Sequence, residues 1–207
     1  MKFILFVEGY TEDIALPRFL KRWLDPQLSH PVGIKTVRFE GWPQLVKDAP
    51  LKAKMHLNGP DKTDIIAIIS LLDLYGPNFY PDHCSSAEQR YDWAKKDIEA
   101  QVQQARFHQF FAVHEVEAWL LSSPQIFPSA IARALEKKNR PPESINSVEP
   151  PAKLLEKLYA SHTGRSYKKI AHGKELFDKL NPDIAYQKCP KLQQLLDHML
   201  TLAKQFA

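Results

Sequence analysis

The chain has 207 residues, 44% of them hydrophobic and 25% charged, with a formal net charge of +4 and two cysteines. That length supports one substantial core, in one domain or one domain with an appendage, and the mild positive balance is no more than solubility requires. Cys84 and Cys189 lie far apart without a CxxC pair, which excludes a disulfide framework and a thiolate zinc cluster and leaves two reduced thiols as the expectation. The apolar run over residues 3–7 is too short for a signal peptide, and the run over 65–72 is too short to span a bilayer. A cytoplasmic protein with no membrane partner is expected.

Residues 3–7 (FILFV) predict a buried strand that ends on Glu8 and Gly9. Thr11 is placed to cap a helix in which Ile14, Leu16, Phe19, Leu20, Trp23 and Leu24 recur at helical spacing. A second strand over 34–39 leads through EGWP to a helix over 43–55, stopped by Asn58-Gly59-Pro60. DIIAIISLLD is an almost unbroken Ile/Leu run of strand length, the pattern of a strand covered on both faces, and it ends on Asp73. After a proline- and aromatic-rich loop, residues 87–104 predict a helix and 107–113 a fourth strand. HEVEAWLLSSP begins another helix, and the proline-punctuated remainder reads as helical, closing with an amphipathic helix over 190–206. This alternation predicts an open α/β sheet of about four parallel strands flanked by helices, with a helical C-terminal appendage.

Ligands of such sheets bind beyond the carboxyl ends of the strands, and acids fall at three of those ends. Glu8 follows the first strand, Asp73 closes the third, and Glu115 and Glu117 follow the fourth. Glu12, one helical turn beyond Glu8, is positioned to face the same point. Grouped carboxylates need a counter-ion, and oxygen ligands without cysteine or paired histidines favour Mg²⁺ or Mn²⁺ over zinc. HEVEA lacks the second histidine of HExxH because position 118 is Ala118, so a zinc peptidase is rejected, and His114 is left to cap the helix or orient a carboxylate. Trp119 and Leu120 read as core.

From Lys153 to Lys174 there are six basic residues against one acid, Glu156, with Tyr167 among them. Such a stretch suits either a solvated face or a polyanion.

FVEGYTED, LLDLYG and HEVEAWLLSSP resemble, in order, the three acidic blocks of Toprim domains, particularly those of OLD-family nucleases and RloB-like proteins. A bacterial Toprim-like family of unknown function is more similar still, since it shares blocks like YKKIAHGKELF and KCPKLQQLL. The resemblance implies a Toprim-like α/β domain over residues 1–124 and a helical extension over 125–207 packed on the same unit. It also implies Mg²⁺- or Mn²⁺-dependent phosphoryl transfer, with Glu8, Asp73, Glu117 and Lys169 as the catalytic set. Glu8 and Glu12 match the paired glutamates of the first block, Asp73 the first aspartate of DxD, and Glu117 the glutamate opening the next helix. Tyr75 stands where the second DxD aspartate is usual, and a phenol of ordinary pKa near 10 is no Mg²⁺ ligand at neutral pH. Either Glu115 or Asp82 completes the shell, or one metal position is lost.

The function expected is hydrolysis of nucleic-acid phosphodiesters, of DNA rather than RNA, with bacterial defence as the implied setting. Lys153, Arg165, Lys168 and Lys174 would bind the nucleic acid. The chain has no GxxxxGK[ST] motif, so any ATP-driven step needs a separate ATPase partner. The alternatives are a non-catalytic interaction subunit of an ATPase complex and a phosphatase or nucleotide-modifying enzyme using the same acidic crevice.

Overall fold

The computed structural model describes residues 1–138, 140–144 and 149–206. Strands β1 (Lys2–Val7) and β3 (Ile65–Asp73) form the middle of a four-stranded sheet bounded by β2 (Gly33–Arg38) and β4 (Phe107–Ala112). The order is β2-β1-β3-β4, and every neighbouring pair is parallel. A parallel sheet is covered on both faces, so the central β3 is buried along its whole length while no residue of the edge strand β2 is fully buried.

Side chains alternate along β1, sending Phe3, Leu5 and Val7 to one face and Ile4 and Phe6 to the other. The first set packs with α1 (Tyr10–Leu24), and the second with α2 (Trp42–Asn58) and α3 (Ala87–Val102). After α4 (Glu117–Leu120), the C-terminal extension runs through α5 (Ser129–Lys138), α6 (Pro151–Thr163), α7 (Lys169–Lys179), α8 (Pro182–Lys188) and α9 (Pro190–Phe206). Leu155, Phe177, Leu192 and Met199 of that extension join the same cluster as Phe3 and Leu16. One core therefore spans sheet and extension.

Two local expectations are corrected. Gly9, not Thr11, is the N-cap of α1, and Thr11 is buried in the first turn. Its methyl packs under α7, where a Cβ on Gly173 would stand 2.8 Å from Thr11 Cγ2. The helix expected from HEVEAWLLSSP is reduced to four residues, Glu117–Leu120. The Ser122 hydroxyl donates to the Trp119 carbonyl at 2.6 Å, and Pro124 has no N–H with which to continue the ladder. Cys84 and Cys189 are free and buried. Among the described residues, no helix is long and apolar enough to cross a membrane.

Candidate functional site

Val7 of β1 is in register with Leu71 of β3, so the chain leaves both central strands at one edge, carrying Glu8 and Asp73. Glu8 Oε1 accepts the Asp73 N–H at 2.9 Å, and Asp73 Oδ1 accepts the Val116 N–H at 3.1 Å. The second bond ties the end of β3 to the residue before Glu117, which opens α4. Glu12 lies in the first turn of α1 and folds back over the corner. A Cβ on Gly9 would come within 2.7 Å of Glu12 Oε2. Gly9 has an extended backbone that any residue could adopt, so a side chain there would conflict only with the present position of the Glu12 carboxylate, which would have to move.

Lys169 is the first residue of α7 and brings its Nζ to 3.4 Å from Glu117 Oε2 and 3.9 Å from Asp73 Oδ2. Gly173 is one turn further on the same face, where it lets α7 close against Thr11 of α1. At the far end of α7, the Arg22 guanidinium donates to the carbonyls of Phe177 (2.6 Å), Asp178 (2.8 Å) and Leu180 (2.9 Å). Two separate contacts with α1 thus hold the helix that carries Lys169.

Burial dominates the electrostatics. It raises the Glu8 pKa, against the Asp73 N–H that favours the carboxylate, and the neighbouring charge of Glu12 adds to the rise. It also lifts Asp73 well above the usual carboxylate range, although the Lys169 ammonium opposes it. Glu117 is pushed up to about 7 by burial, again with Lys169 opposing. For Lys169 burial favours the neutral amine, but Glu117, Asp73 and Glu12 outweigh it and hold the ammonium firmly charged. Glu117 is wholly buried, and neither of its oxygens has a hydrogen-bond partner among the described residues, Lys169 being at ion-pair distance only. The Tyr167 hydroxyl is likewise buried without a partner, and burial together with the Glu117 charge raises its pKa.

Among the described residues, no three His, Cys, Asp or Glu side chains converge as a ready metal centre. The ammonium of Lys169 lies between Glu117 and Asp73 instead. The donor set nevertheless suits a hard divalent cation: Glu8, Glu12, Asp73 and Glu117 offer oxygen only, and one ammonium does not balance their charge. The two partnerless oxygens of Glu117 give a specific reason to place a cation there. These are the residues that would hold such an ion, although among the described residues they do not converge into a metal centre.

The other sequence candidates lie elsewhere. Glu115 Oε2 accepts the Ala152 N–H at 2.8 Å, so its carboxylate serves the first turn of α6. Asp82 is exposed. His114 does not cap α4, whose N-cap is Val116 with no side-chain bond. Its backbone is left-handed (φ 68°), its carbonyl accepts the Tyr75 N–H, and burial lowers its pKa. Lys153, Arg165, Lys168 and Lys174 are all exposed, on α6, the loop after it and the start of α7. Tyr167 in their midst is buried, with its ring 5.3 Å from Tyr159 and 5.6 Å from His172. Sequence reasoning passed over Arg22, Thr11 as a packing residue, and Gly173 as the reason Lys169 reaches the acids. For the last a signal existed, a lysine and a glycine four apart in YKKIAHG.

An open parallel sheet with acids along its carboxyl edge, and a helical extension returning a lysine to them, places the chain in a class of α/β proteins with solved members. The C-terminal region of the Burkholderia pseudomallei OLD protein has the same fold, with 18% identity and a TM-score of 0.50 over 100% of this chain and 98% of that one. The C-terminal region of the Xanthomonas campestris pv. campestris OLD protein, phased with platinum, gives 16% identity and a TM-score of 0.46 over 99% and 94%. No curated protein matches the chain. The family described as "Domain of unknown function (DUF4276)" matches residues 7–200, and the chain belongs to that family.

Proposed function

We propose that the protein is a Toprim-type hydrolase that cleaves nucleic-acid phosphodiesters with Mg²⁺ or Mn²⁺. The observation carrying this reading is the buried Glu117, both oxygens partnerless, beside Asp73 and Lys169 at the carboxyl edge of the sheet. Glu8, Glu12, Asp73 and Glu117 would hold the ion, which when bound supplies a water of lowered pKa and charge stabilisation for the leaving oxygen. The Asp73 and Val116 N–H groups fix the orientation of the Glu8 and Asp73 carboxylates. Lys169, with 41% of its side chain exposed, can turn its ammonium to a phosphate oxygen and stabilise charge there. The exposed Lys153, Arg165, Lys168 and Lys174 would engage phosphates further along a polyanion.

DNA as substrate, a cytoplasmic defence setting and a separate ATPase partner belong to this proposal, supported by the sequence resemblance. The test is incubation of purified protein with labelled DNA and RNA in Mg²⁺ or Mn²⁺. Cleavage should disappear in Glu8→Ala and Asp73→Ala, and cleavage that survives both substitutions rejects this site.

One observation favours a second reading, a non-catalytic interaction subunit: Lys169 already serves as counter-ion to two of the acids. Under that reading calorimetry finds no Mn²⁺ binding at millimolar concentration, and an ATPase co-purifies.

A further inference from the structure

The carboxyl edge holds a second feature that the acids leave unexplained. Next to Asp73 the surface opens into a cleft of about 380 Å³, with Tyr75, Arg90, His114 and Glu143 in its walls. Every residue of β3 is buried, yet Tyr75, two residues past its end, is 38% exposed. Its N–H donates to the His114 carbonyl at 3.0 Å, which ties the backbone that carries the ring to the loop after β4. His114 adopts a left-handed conformation that is rare for a non-glycine residue, and its ring lies 6.4 Å from that of Tyr75.

The charges of the cleft are also arranged. Glu143 accepts the N–H groups of Lys191 and Leu192 at 2.8 and 3.3 Å, so its carboxylate serves the start of α9. Arg90 donates its Nε to the Cys84 carbonyl at 3.1 Å and lies 5.3 Å from the Tyr80 ring, which holds the guanidinium while leaving further N–H donors for a ligand. An exposed aromatic face, a positioned guanidinium and a small-ligand volume make up the chemistry that recognises a nucleobase with its phosphate.

We propose that this cleft takes one unstacked base of a single-stranded nucleic acid, with Tyr75 stacking on the base and Arg90 contacting an adjoining phosphate. The proposal rests on the nucleic-acid reading above and adds strand selectivity to it. A base within a duplex is already stacked and paired, so it cannot enter without being flipped out. The usual acid of the second block would leave no such stacking face, whereas tyrosine provides one.

The experiment measures binding of fluorescein-labelled oligothymidylate, a blunt duplex and thymidine monophosphate with divalent ions chelated, so that chemistry cannot contribute. Tyr75→Ala should weaken the single strand by about 5- to 100-fold, the loss of one stacking platform, and leave duplex binding within about twofold. Tyr75→Phe should bind like wild type, and Arg90→Gln should flatten the salt dependence on the single strand by about 0.7 unit. Arg90→Gln and Tyr75→Phe carry the test if Tyr75→Ala fails to fold, as read by its thermal midpoint.

Monophosphate binding as tight as the oligonucleotide overturns the assignment of the cleft to a nucleic-acid strand, and unchanged single-strand binding in Tyr75→Ala or an equal loss on duplex overturns the cleft. So does a salt slope unmoved by Arg90→Gln. Wild-type cleavage in Mn²⁺ is scored separately. A chain that cleaves but shows no Tyr75 dependence loses the cleft alone, and one that shows Tyr75-dependent binding but cleaves nothing loses the hydrolase reading alone.

Discussion

Replacing Glu117 by glutamine should stabilise the metal-free protein above neutral pH and leave it unchanged in acid. Glu117 is fully buried, and its pKa moves from the ordinary 4.5 to about 7, so the folded chain holds this proton more tightly than the unfolded chain does. Stability from this group is therefore complete below about pH 4.5, falls as pH rises, and is fully lost above about pH 7. At 1.36 kcal/mol per decade, the loss is about 3 kcal/mol. Glutamine keeps the shape and is neutral at every pH, so that loss disappears. The attraction of Lys169 is already contained in the Glu117 pKa, which it lowers against the burial, so losing the pair in the variant brings no further offset. The net gain at about pH 8 is then roughly 3 kcal/mol. Urea unfolding in a chelator, at about pH 4.5 and about pH 8, reads it directly. Glu8 and Asp73 shift in the same direction, so some pH dependence remains in both proteins, and the difference between the two isolates Glu117. A variant whose stability falls between these pH values as steeply as wild type would refute the reasoning.

Mn²⁺ should raise the thermal midpoint by roughly 5–10 °C at about 100 times its dissociation constant near pH 8, and by less near pH 5, where the Glu117 carboxyl holds its proton. Equal shifts at the two pH values would place the ion elsewhere. Gly173→Ala should destabilise by about 1–3 kcal/mol through the clash with the Thr11 methyl, and Thr11→Ser, which removes that methyl, should recover most of it. Strict additivity of the pair in denaturation would show that the two residues do not meet. Glu115→Ala should cost about 1 kcal/mol by freeing the Ala152 N–H while leaving Mn²⁺ affinity by calorimetry within about twofold, and a tenfold loss would return Glu115 to the metal shell. Alanine at Lys153, Arg165, Lys168 and Lys174 together should lower the salt slope of nucleic-acid binding by nearly one for each lost phosphate contact, and an unchanged slope would make them an ordinary solvated face.

The sheet was readable because its central strands are continuous apolar runs, and such runs leave few alternatives at 6 to 9 residues. Glu8 and Asp73 were readable for the same reason, since an acid at the end of a buried strand stands out against it, whereas Glu117 lies five residues past β4 and was readable only through the HEVEA block. What the sequence hid depends on contacts between distant segments. Thr11 carries a local preference for capping, and only the approach of α7 turns it into a packing residue. Glu115 sits in the same acidic block as Glu117 and differs from it because the Ala152 N–H arrives from α6. Arg22 looks like any basic residue in the last turn of a helix, and nothing nearby in sequence announces the three carbonyls it bonds. The basic stretch was legible as surface charge, but its aromatic was not, because Tyr167 faces inward to Tyr159 and His172.

The two attachments of α7 to α1 impose different freedoms on sequence change. Arg22 grips backbone carbonyls, which every residue type supplies, so residues 177–180 can drift in identity without loosening that grip. The contact of Gly173 with Thr11 is a fit between atoms, and almost any side chain added there forces the helices apart. Divergence in this part of the chain is therefore channelled: at the end of α7 remote from the acids the Arg22 grip accepts any side chain and only the buried Phe177 and Leu180 are held by the core, while the turn that carries Lys169 changes only together with the first turn of α1. A chimera that imports residues 165–180 from a relative would inherit the distal anchor automatically, but would position its lysine only if the donor's glycine and the recipient's threonine still match.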